Sequence, residues 1–152
     1  MLEKEEKKFL KVQRKMSECI FCDIIEGKLP CNKIYEDENV LAFLDINPVN
    51  KGHTLIIPKK HSETVLDTDD NILKEFILVI KKVSKAVYGG LELEGFNISM
   101  NQFEAGKQVV PHLHAHIIPR FKDDGFKMWP NKKYESDGEK KDIQGKITRF
   151  LK

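Results

Sequence analysis

Residues 110–120 read VPHLHAHIIPR, and this run decides both the fold and the chemistry expected of the chain. Three of the five histidines, His112, His114 and His116, occur here at every second position with apolar residues between them. Alternation of this kind predicts a strand over 109–118, in which residues two apart point to the same face. The three imidazoles would then form a row on one face of that strand, while the apolar residues cover the other.

Three aligned imidazoles allow more than one interpretation. They could form an ordinary solvent-facing polar side, they could bind a transition metal, or a neutral imidazole could attack an electrophilic phosphorus. The chain lacks an HExxH helix, a GxxxxGK[ST] loop and a GxSxG elbow, which makes several other enzyme classes less plausible. The residues alone leave the choice between metal binding and nucleophilic catalysis open.

The bulk composition narrows the class of protein. The 152 residues are enough for one domain with its own core, and the net charge of +2 argues against a dedicated nucleic-acid surface. No apolar run approaches the roughly 20 residues that cross a bilayer, and the N-terminus lacks the apolar core of a signal peptide. We therefore expect a cytoplasmic protein with no membrane and no nucleic-acid partner.

The three cysteines indicate chemistry other than a disulfide framework. Cys19, Cys22 and Cys31 are odd in number, and in a reducing compartment a C-x-x-C pair such as Cys19 and Cys22 is more typical of a metal or redox element. By itself this pair supplies half of the ligands of a tetrahedral zinc site.

Local patterns predict an α+β fold. The charged residues 1–15 are expected to form an extension, followed by one domain over 16–152 whose tail begins at about 121. We expect a short helix over 19–26, a hairpin within 32–46, and strands over 54–57 and 96–100 besides the histidine strand. A long helix over 70–88, capped by Asp69 or Asp70, would supply the core. Its core residues are predicted to be Ile72, Leu73, Phe76, Ile77, Val79, Ile80, Val83, Ala86 and Val87.

Taken together, these segments resemble the histidine triad (HIT) family, and within it the Hint-like branch of nucleotide hydrolases. The family motif is His-φ-His-φ-His-φ-φ with φ apolar, and it appears here as HLHAHII. The resemblance covers about 19–120 and includes CIFCDIIEGKLP, YEDENVLAFLDI and KGHTLIIPKKH. It implies an antiparallel sheet of about five strands with one long packed helix and short terminal helices, joined across a homodimer.

The resemblance also implies an activity and the residues that perform it. The chain would cleave purine nucleoside phosphoramidates, of the adenosine 5'-monophosphoramidate type, through a covalent nucleotidyl-histidine, with His114 as nucleophile and His116 binding the phosphate. Asp45 would hold the ribose hydroxyls, and His53, Asn101 and Gln108 would line the phosphate end. The residues implied to wall the base are Ile20, Phe21, Ile24, Phe43 and Ile46.

Some of these roles agree with the local pattern, and each has an ordinary alternative. Phe43 and Asp45 would share a face of one strand, but they could be a core residue and a turn residue. Gln108 would share the face of the histidines if the strand reaches it, or it could be an exposed amide. The competing functions are a dinucleoside polyphosphate hydrolase, a catalytic zinc hydrolase that uses the triad as ligands, and a nucleotide-binding regulatory protein with secondary hydrolase activity.

The resemblance further implies a structural zinc ion. Its ligands would be Cys19, Cys22, His61 and His112, and this closed set of four would leave no open position for catalysis. The alternative is a pair of reduced, buried cysteines beside a surface His61.

The sequence departs from the family pattern in one loop. Lys107 and Val109 stand where Hint-like sequences commonly have Gly and Ser or Thr, on either side of Gln108. The departure removes a hydroxyl near the expected position of the leaving group and adds a positive charge. It therefore places the leaving-group preference in question.

Overall fold

Apolar residues at alternate positions build one antiparallel sheet. The computed structural model describes residues 19–127 and 129–151, so the predicted extension over 1–15 lies outside the described residues. The sheet has five strands in the order β1-β2-β3-β5-β4, which confirms the predicted fold class. The strands are β1 (Lys33–Glu36), β2 (Val40–Leu44), β3 (Thr54–Pro58), β4 (Gly95–Ser99) and β5 (Ala115–Arg120).

The predicted hairpin is formed by β1 and β2, which pair antiparallel. The carboxylate of Asp37 closes the turn, because its Oδ1 accepts hydrogen bonds from the backbone N–H groups of Asn39 (2.9 Å) and Val40 (2.8 Å). This is the local bonding for which Asp is preferred in turns. Asp45 follows β2 directly, so the hairpin presents the acidic side chain at the end of the strand.

Helix α1 (Ile20–Ile25) precedes the sheet, and the long helix α2 (Asp70–Gly90) packs on it. The Asp69 side chain caps α2 by accepting from the backbone N–H of Asn71 (2.9 Å). The apolar stripe of α2 is buried against β2, β3 and β5, with Phe76 and Ile80 each 1% exposed. The prediction was wrong at Ile77 and Ala86, which are exposed because they lie on the outer side of the helix.

The histidine run does not form the predicted strand over 109–118. Strand β5 begins only at Ala115, so His112 and His114 precede it. Pro111 has no N–H for a ladder hydrogen bond, His112 N–H bonds back to the carbonyl of Val110 (2.8 Å), and Leu113 N–H bonds to the carbonyl of Ser62 (2.7 Å). These bonds replace sheet pairing, and the expectation of three imidazoles on one strand face was therefore wrong.

The described residues divide into two compact units, one that ends at residue 122 and one that begins at residue 123 and contains helix α3 (Asp137–Thr148). The Ser136 side chain caps α3 by accepting from the backbone N–H of Glu139 (3.1 Å). The assignment of residues 16–152 to a single domain stays a prediction. Within the part of the chain that the structure describes, no helix combines the length and apolarity that crossing a bilayer requires.

Candidate active site and metal centre

A cavity of about 350 Å³ brings together nine of the residues predicted to form the nucleotide site. Side chains from α1, from the end of β2 and from the histidine run surround it. The apolar members predicted to wall a base are Ile20, Phe21, Ile24, Phe43 and Ile46. The polar members are Asp45, Asn101, His114 and His116.

The apolar wall is built on two phenylalanine rings. Phe21 and Phe43 meet edge to face with ring centroids 5.8 Å apart, and Phe21 lies 5.2 Å from the ring of His114. Phe43 is 4% exposed, whereas Ile46 is 84% exposed and leaves the cavity open on its side. A slot with rigid aromatic walls and an open edge suits a planar, apolar ligand such as a nucleobase.

The protonation of His114 follows from one hydrogen bond. Its Nδ1 lies 2.7 Å from the carbonyl oxygen of His112, and a carbonyl can only accept, so Nδ1 carries the proton. Burial lowers the pKa of His114, although this hydrogen bond and the charge of Asp45 oppose the shift. His114 therefore presents a neutral ring on the cavity wall whose Nε2 holds a lone pair.

The protonation of His116 follows from a chain of three groups. The backbone N–H of Val49 donates to Nδ1 of His53 (3.1 Å), so the proton of neutral His53 is on Nε2. That Nε2 lies 2.9 Å from Nδ1 of His116 and donates to it, which leaves the proton of His116 on Nε2. Burial lowers the pKa of both rings, that of His116 to about 4, so the pair is neutral at pH 7.

The Nε2–H of His116 is a donor without an acceptor. It is buried and has no hydrogen-bond partner among the described residues, although its ring lines the cavity. An orphaned buried donor costs free energy unless a ligand satisfies it. Since His53 lies behind His116 rather than on the cavity wall, it positions the donor instead of contacting a ligand directly.

The acidic residue and the two amides predicted for the site have different surroundings. Asp45 lines the cavity, and its Oδ1 accepts from the backbone N–H of Asn47 (2.8 Å). Asn101 also lines the cavity. Gln108 does not: its Nε2 donates to the carbonyl of Glu63 (2.6 Å) and its Oε1 accepts from Phe103 N–H (2.8 Å). Its expected place on the face of the histidines was wrong, because no strand extends that far.

Four donors converge at the start of the histidine run, where Cys19, Cys22, His61 and His112 place their ligand atoms within 4.8 Å of one another. The Nδ1 of His112 lies 3.4 Å from the sulfur of Cys19, 3.7 Å from that of Cys22 and 3.2 Å from Nδ1 of His61. Zn–S bonds of about 2.3 Å and Zn–N bonds of about 2.0 Å in a tetrahedron separate sulfur and nitrogen by about 3.5 Å. The cluster therefore has the donor set and the spacing of a zinc site.

The carbonyl oxygen of Pro58 orients His112 in this cluster. It lies 2.8 Å from Nε2 of His112, so Nε2 carries the proton and the lone pair of Nδ1 points to the thiols. Burial lowers the pKa of His112 to about 4 and, without a metal, raises the pKa of the Cys22 thiol to about 12. A divalent cation would displace the thiol protons and be held by two thiolates and two neutral imidazoles.

The structure separates the three histidines of the motif. His112 belongs to the cluster with the cysteines, and His116 comes together with Asp45 and His53, while His114 belongs to neither group of candidate ligands among the described residues. The arrangement disfavours a catalytic zinc ion held by the whole triad, because the three rings do not converge on one point. The sequence could not indicate the groups that orient the rings, since they are backbone atoms of Pro58, Val49 and His112.

The family model for the HIT domain matches residues 26–123 of the chain. The chain is 47% identical to an uncharacterized HIT-like protein of Methanocaldococcus jannaschii, over 84% of this chain and 99% of that one. It is 41% identical to an adenosine 5'-monophosphoramidase of Schizosaccharomyces pombe, over 67% and 74%. It is 40% identical to an adenylylsulfatase of Arabidopsis thaliana, over 71% of this chain and 55% of that protein.

Solved structures agree with these sequence relationships. A HIT family protein from Bacillus subtilis superimposes with a TM-score of 0.82 at 41% identity, covering 88% of this chain and 97% of that chain. A zinc-bound histidine triad family protein from Mycobacterium smegmatis superimposes with a TM-score of 0.70 at 33% identity, covering 88% and 96%.

Proposed function

Because the chain belongs to the HIT domain family, we propose that it is a nucleotide hydrolase that cleaves purine nucleoside phosphoramidates through a covalent nucleotidyl-histidine. The observation that carries this proposal is the pairing, on one cavity wall, of an unprotonated Nε2 on His114 with an unsatisfied Nε2–H on His116. The first is a nucleophile, and the second is a donor for the phosphoryl oxygen.

The reaction proceeds in two steps. Nε2 of His114 attacks the α-phosphorus, the bond from phosphorus to the amine breaks, and the amine leaves with a proton taken from the solvent. Water then cleaves the nitrogen–phosphorus bond, which returns the electron pair to Nε2, releases the nucleotide and returns one proton to the solvent. The Nε2–H of His116 binds the charge that develops on the phosphoryl oxygen, and burial keeps both rings neutral for these roles.

The rest of the cavity binds the nucleoside. Phe21 and Phe43 contact the base, and Asp45 accepts hydrogen bonds from the ribose hydroxyls, which is consistent with the place of all three on the cavity wall. The adenosine 5'-monophosphoramidase activity named for the Schizosaccharomyces pombe relative supports adenosine phosphoramidate as the substrate class.

We also propose that the four-donor cluster holds a structural zinc ion. Cys19, Cys22, His61 and His112 supply it with four ligands, as expected for an ion that joins α1 to the start of the histidine run. The zinc-bound Mycobacterium smegmatis neighbour supports this assignment. Catalysis depends on His114 and His116, which lie outside this cluster.

The functional unit is a homodimer in this proposal. Strand β4 is at the edge of the sheet, and between it and α2 runs a groove lined by apolar side chains that include Ile77, Leu78 and Ile98. Ile77, Leu78 and Ile98 are 54%, 64% and 46% exposed, as expected for a face that a second copy covers. Light scattering should give twice the chain mass, and Ile98→Asp should give the mass of one chain. A cytoplasmic location stays a prediction.

Trapping the covalent intermediate tests the proposed chemistry. The protein is mixed with adenosine 5'-monophosphoramidate, quenched in alkaline denaturant and digested with trypsin, which releases the peptide 108–120 that contains all three motif histidines. We expect an added adenylyl group that fragmentation assigns to His114, and no adduct with His114→Ala. Turnover by the wild-type protein without any adduct would contradict the nucleophilic mechanism.

A further inference from the structure

The cavity that contains His114 has one cationic side chain. Of its described lining residues, Asp45 is the one with an acidic side chain, and Lys107 is the one lysine or arginine. The Lys107 ammonium makes no ion pair with any described residue. Lys107 is exposed and lines the cavity, so its positive charge is available to a ligand there.

Lys107 occupies an unfavourable backbone conformation. Its φ is +67°, in the left-handed region that glycine adopts freely and that a side chain makes costly. The loop holds it there, because Lys107 N–H donates to the carbonyl of Glu104 (2.9 Å) and its own carbonyl accepts from Asn101 Nδ2 (3.2 Å).

The same wall provides no hydroxyl group. Val109 and Val110 line the cavity beside Lys107, and none of the described lining residues is Ser, Thr or Tyr. The absence of a hydroxyl group matters for the leaving group. An amine must gain a proton as it departs, whereas an oxyanion departs without a proton and needs only stabilisation of its new negative charge. A permanent cation without a neighbouring hydroxyl suits the second case.

We infer that Lys107 is a specificity-determining residue that favours nucleotides whose α-phosphate carries an oxyanion leaving group, such as sulfate or phosphate, over those that carry an amine. The inference rests on the proposed nucleotidyl-histidine chemistry and adds oxyanion leaving groups to the phosphoramidates proposed above. It also gives the cavity two charges of opposite sign: Asp45 for the ribose hydroxyls and Lys107 for the departing anion.

The step that Lys107 assists conserves atoms and charge. The lone pair on Nε2 of His114 forms the bond to the α-phosphorus, and the bond from phosphorus to the leaving oxygen breaks. The electron pair departs with that oxygen, so the leaving group gains one negative charge and takes no proton. The Lys107 ammonium keeps its three protons and stabilises this charge electrostatically. Water then cleaves the nucleotidyl-histidine, and one proton enters the solvent.

A pair of substrates that differ only in the leaving group tests the inference. The wild-type protein, Lys107→Met and Lys107→Arg are compared on adenosine 5'-phosphosulfate and adenosine 5'-monophosphoramidate. The ratio of kcat/KM for the sulfate to kcat/KM for the phosphoramidate should fall about 10-fold in Lys107→Met and stay within about 3-fold in Lys107→Arg. The wild-type ratio should fall as salt is raised, and that of Lys107→Met should respond little.

Two further variants separate charge at this position from general effects. Lys74 is exposed on α2 and does not line the cavity, so Lys74→Met removes a charge elsewhere and should leave the ratio unchanged. Lys107→Gly removes the side chain together with the strain, so it should raise the Tm by about 3 °C while lowering the ratio as Lys107→Met does.

The outcomes distinguish this inference from the proposed function. An unchanged ratio in Lys107→Met, with the nucleotidyl adduct still formed, would overturn the role of Lys107 alone. Equal loss on both substrates would overturn it as well, because it would show that Lys107 does not discriminate between leaving groups. If the wild-type protein forms no adduct with either substrate, the proposed function fails and the inference fails with it.

Discussion

The two sides of the histidine run use the same residue type in opposite ways. His112 turns Nδ1 toward two thiols, because the carbonyl of Pro58 binds its Nε2–H. His114, two residues later, leaves Nε2 on the cavity side, because the carbonyl of His112 binds its Nδ1–H. The two rings therefore differ in which nitrogen a backbone carbonyl occupies, and the available lone pair is on Nδ1 in His112 and on Nε2 in His114.

The two sides of the histidine run also differ in the contacts that their side chains make. The metal side is formed by Cys19, Cys22, His61 and His112, whose sulfur and Nδ1 atoms contact one another. The cavity side has a hydrogen-bond chain that starts at a backbone N–H of Val49, passes through His53 and ends in the open donor of His116. The metal side is suited to stabilising the fold and the cavity side to catalysis. Variants on the metal side should therefore lower stability, and variants on the cavity side should lower the rate of hydrolysis.

The largest expected effect is on the cavity side. His114→Ala removes the nucleophile and should lower kcat at least about 1,000-fold, while zinc content and Tm stay close to those of the wild-type protein. Steady-state hydrolysis of adenosine 5'-monophosphoramidate measures the first quantity, and metal analysis with thermal denaturation measures the others. A variant that keeps a tenth of the wild-type rate would contradict the assignment of His114.

The next effect is on the metal side. His112→Ala removes a zinc ligand and should lower the free energy of unfolding by about 3 kcal/mol or more, with loss of bound zinc. The carbonyl of residue 112 remains, so His114 keeps its orientation and the folded variant should keep far more activity than His114→Ala. Cys31→Ser is the matched control, since Cys31 lies outside the cluster and its loss should change neither quantity.

An intermediate effect should come from the residue behind the cavity wall. His53→Phe removes the donor that sets the proton of His116, so kcat should fall about 10-fold with a smaller change in KM. Nitrogen NMR of the His116 ring should show the proton shifting from Nε2 toward Nδ1. His53→Gln, whose amide can also donate, should recover part of the rate. A normal rate in His53→Phe would remove His53 from the mechanism.

The smallest effect is on the pH dependence of stability. Burial lowers the pKa of His116 to about 4 from an ordinary value of 6.5, so the unfolded chain binds more protons between those pH values. Stability should be complete above pH 6.5 and fall as the pH decreases toward 4. His116→Gln should reduce that slope by at most about 1.4 kcal/mol per pH unit, as urea denaturation at several pH values would show. An identical slope would contradict a neutral, buried His116.

The parts of the fold that depend on local periodicity could be predicted from the sequence. The helical repeat located α2 to within two residues of its observed end, and the alternating runs located β2 and β3. Burial of Ile77 was predicted wrongly. The local sequence pattern is the same whether an apolar helix residue faces the core or, as Ile77 does, an exposed groove on the outer side.

Most residues of the candidate site could be predicted from the sequence, but the backbone path and the hydrogen bonds that position them could not. The motif and its resemblance identified His114 and His116, and the spacing of Cys19 and Cys22 suggested a metal. Alternation could not reveal that the segment before Ala115 leaves the sheet, since an extended chain outside a sheet has the same pattern. For the same reason Gln108 was expected on the cavity wall, although it ties a loop to the carbonyl of Glu63.

Residue 112 contributes to the molecule twice, through its ring and through its carbonyl, and these two groups respond differently to mutation. The ring is specified by a codon and is lost by one mutation, whereas every amino acid supplies the carbonyl that orients His114. Replacement of the cysteines and His112 by apolar residues would therefore remove the proposed metal site and leave the carbonyl that orients the ring of His114 in place.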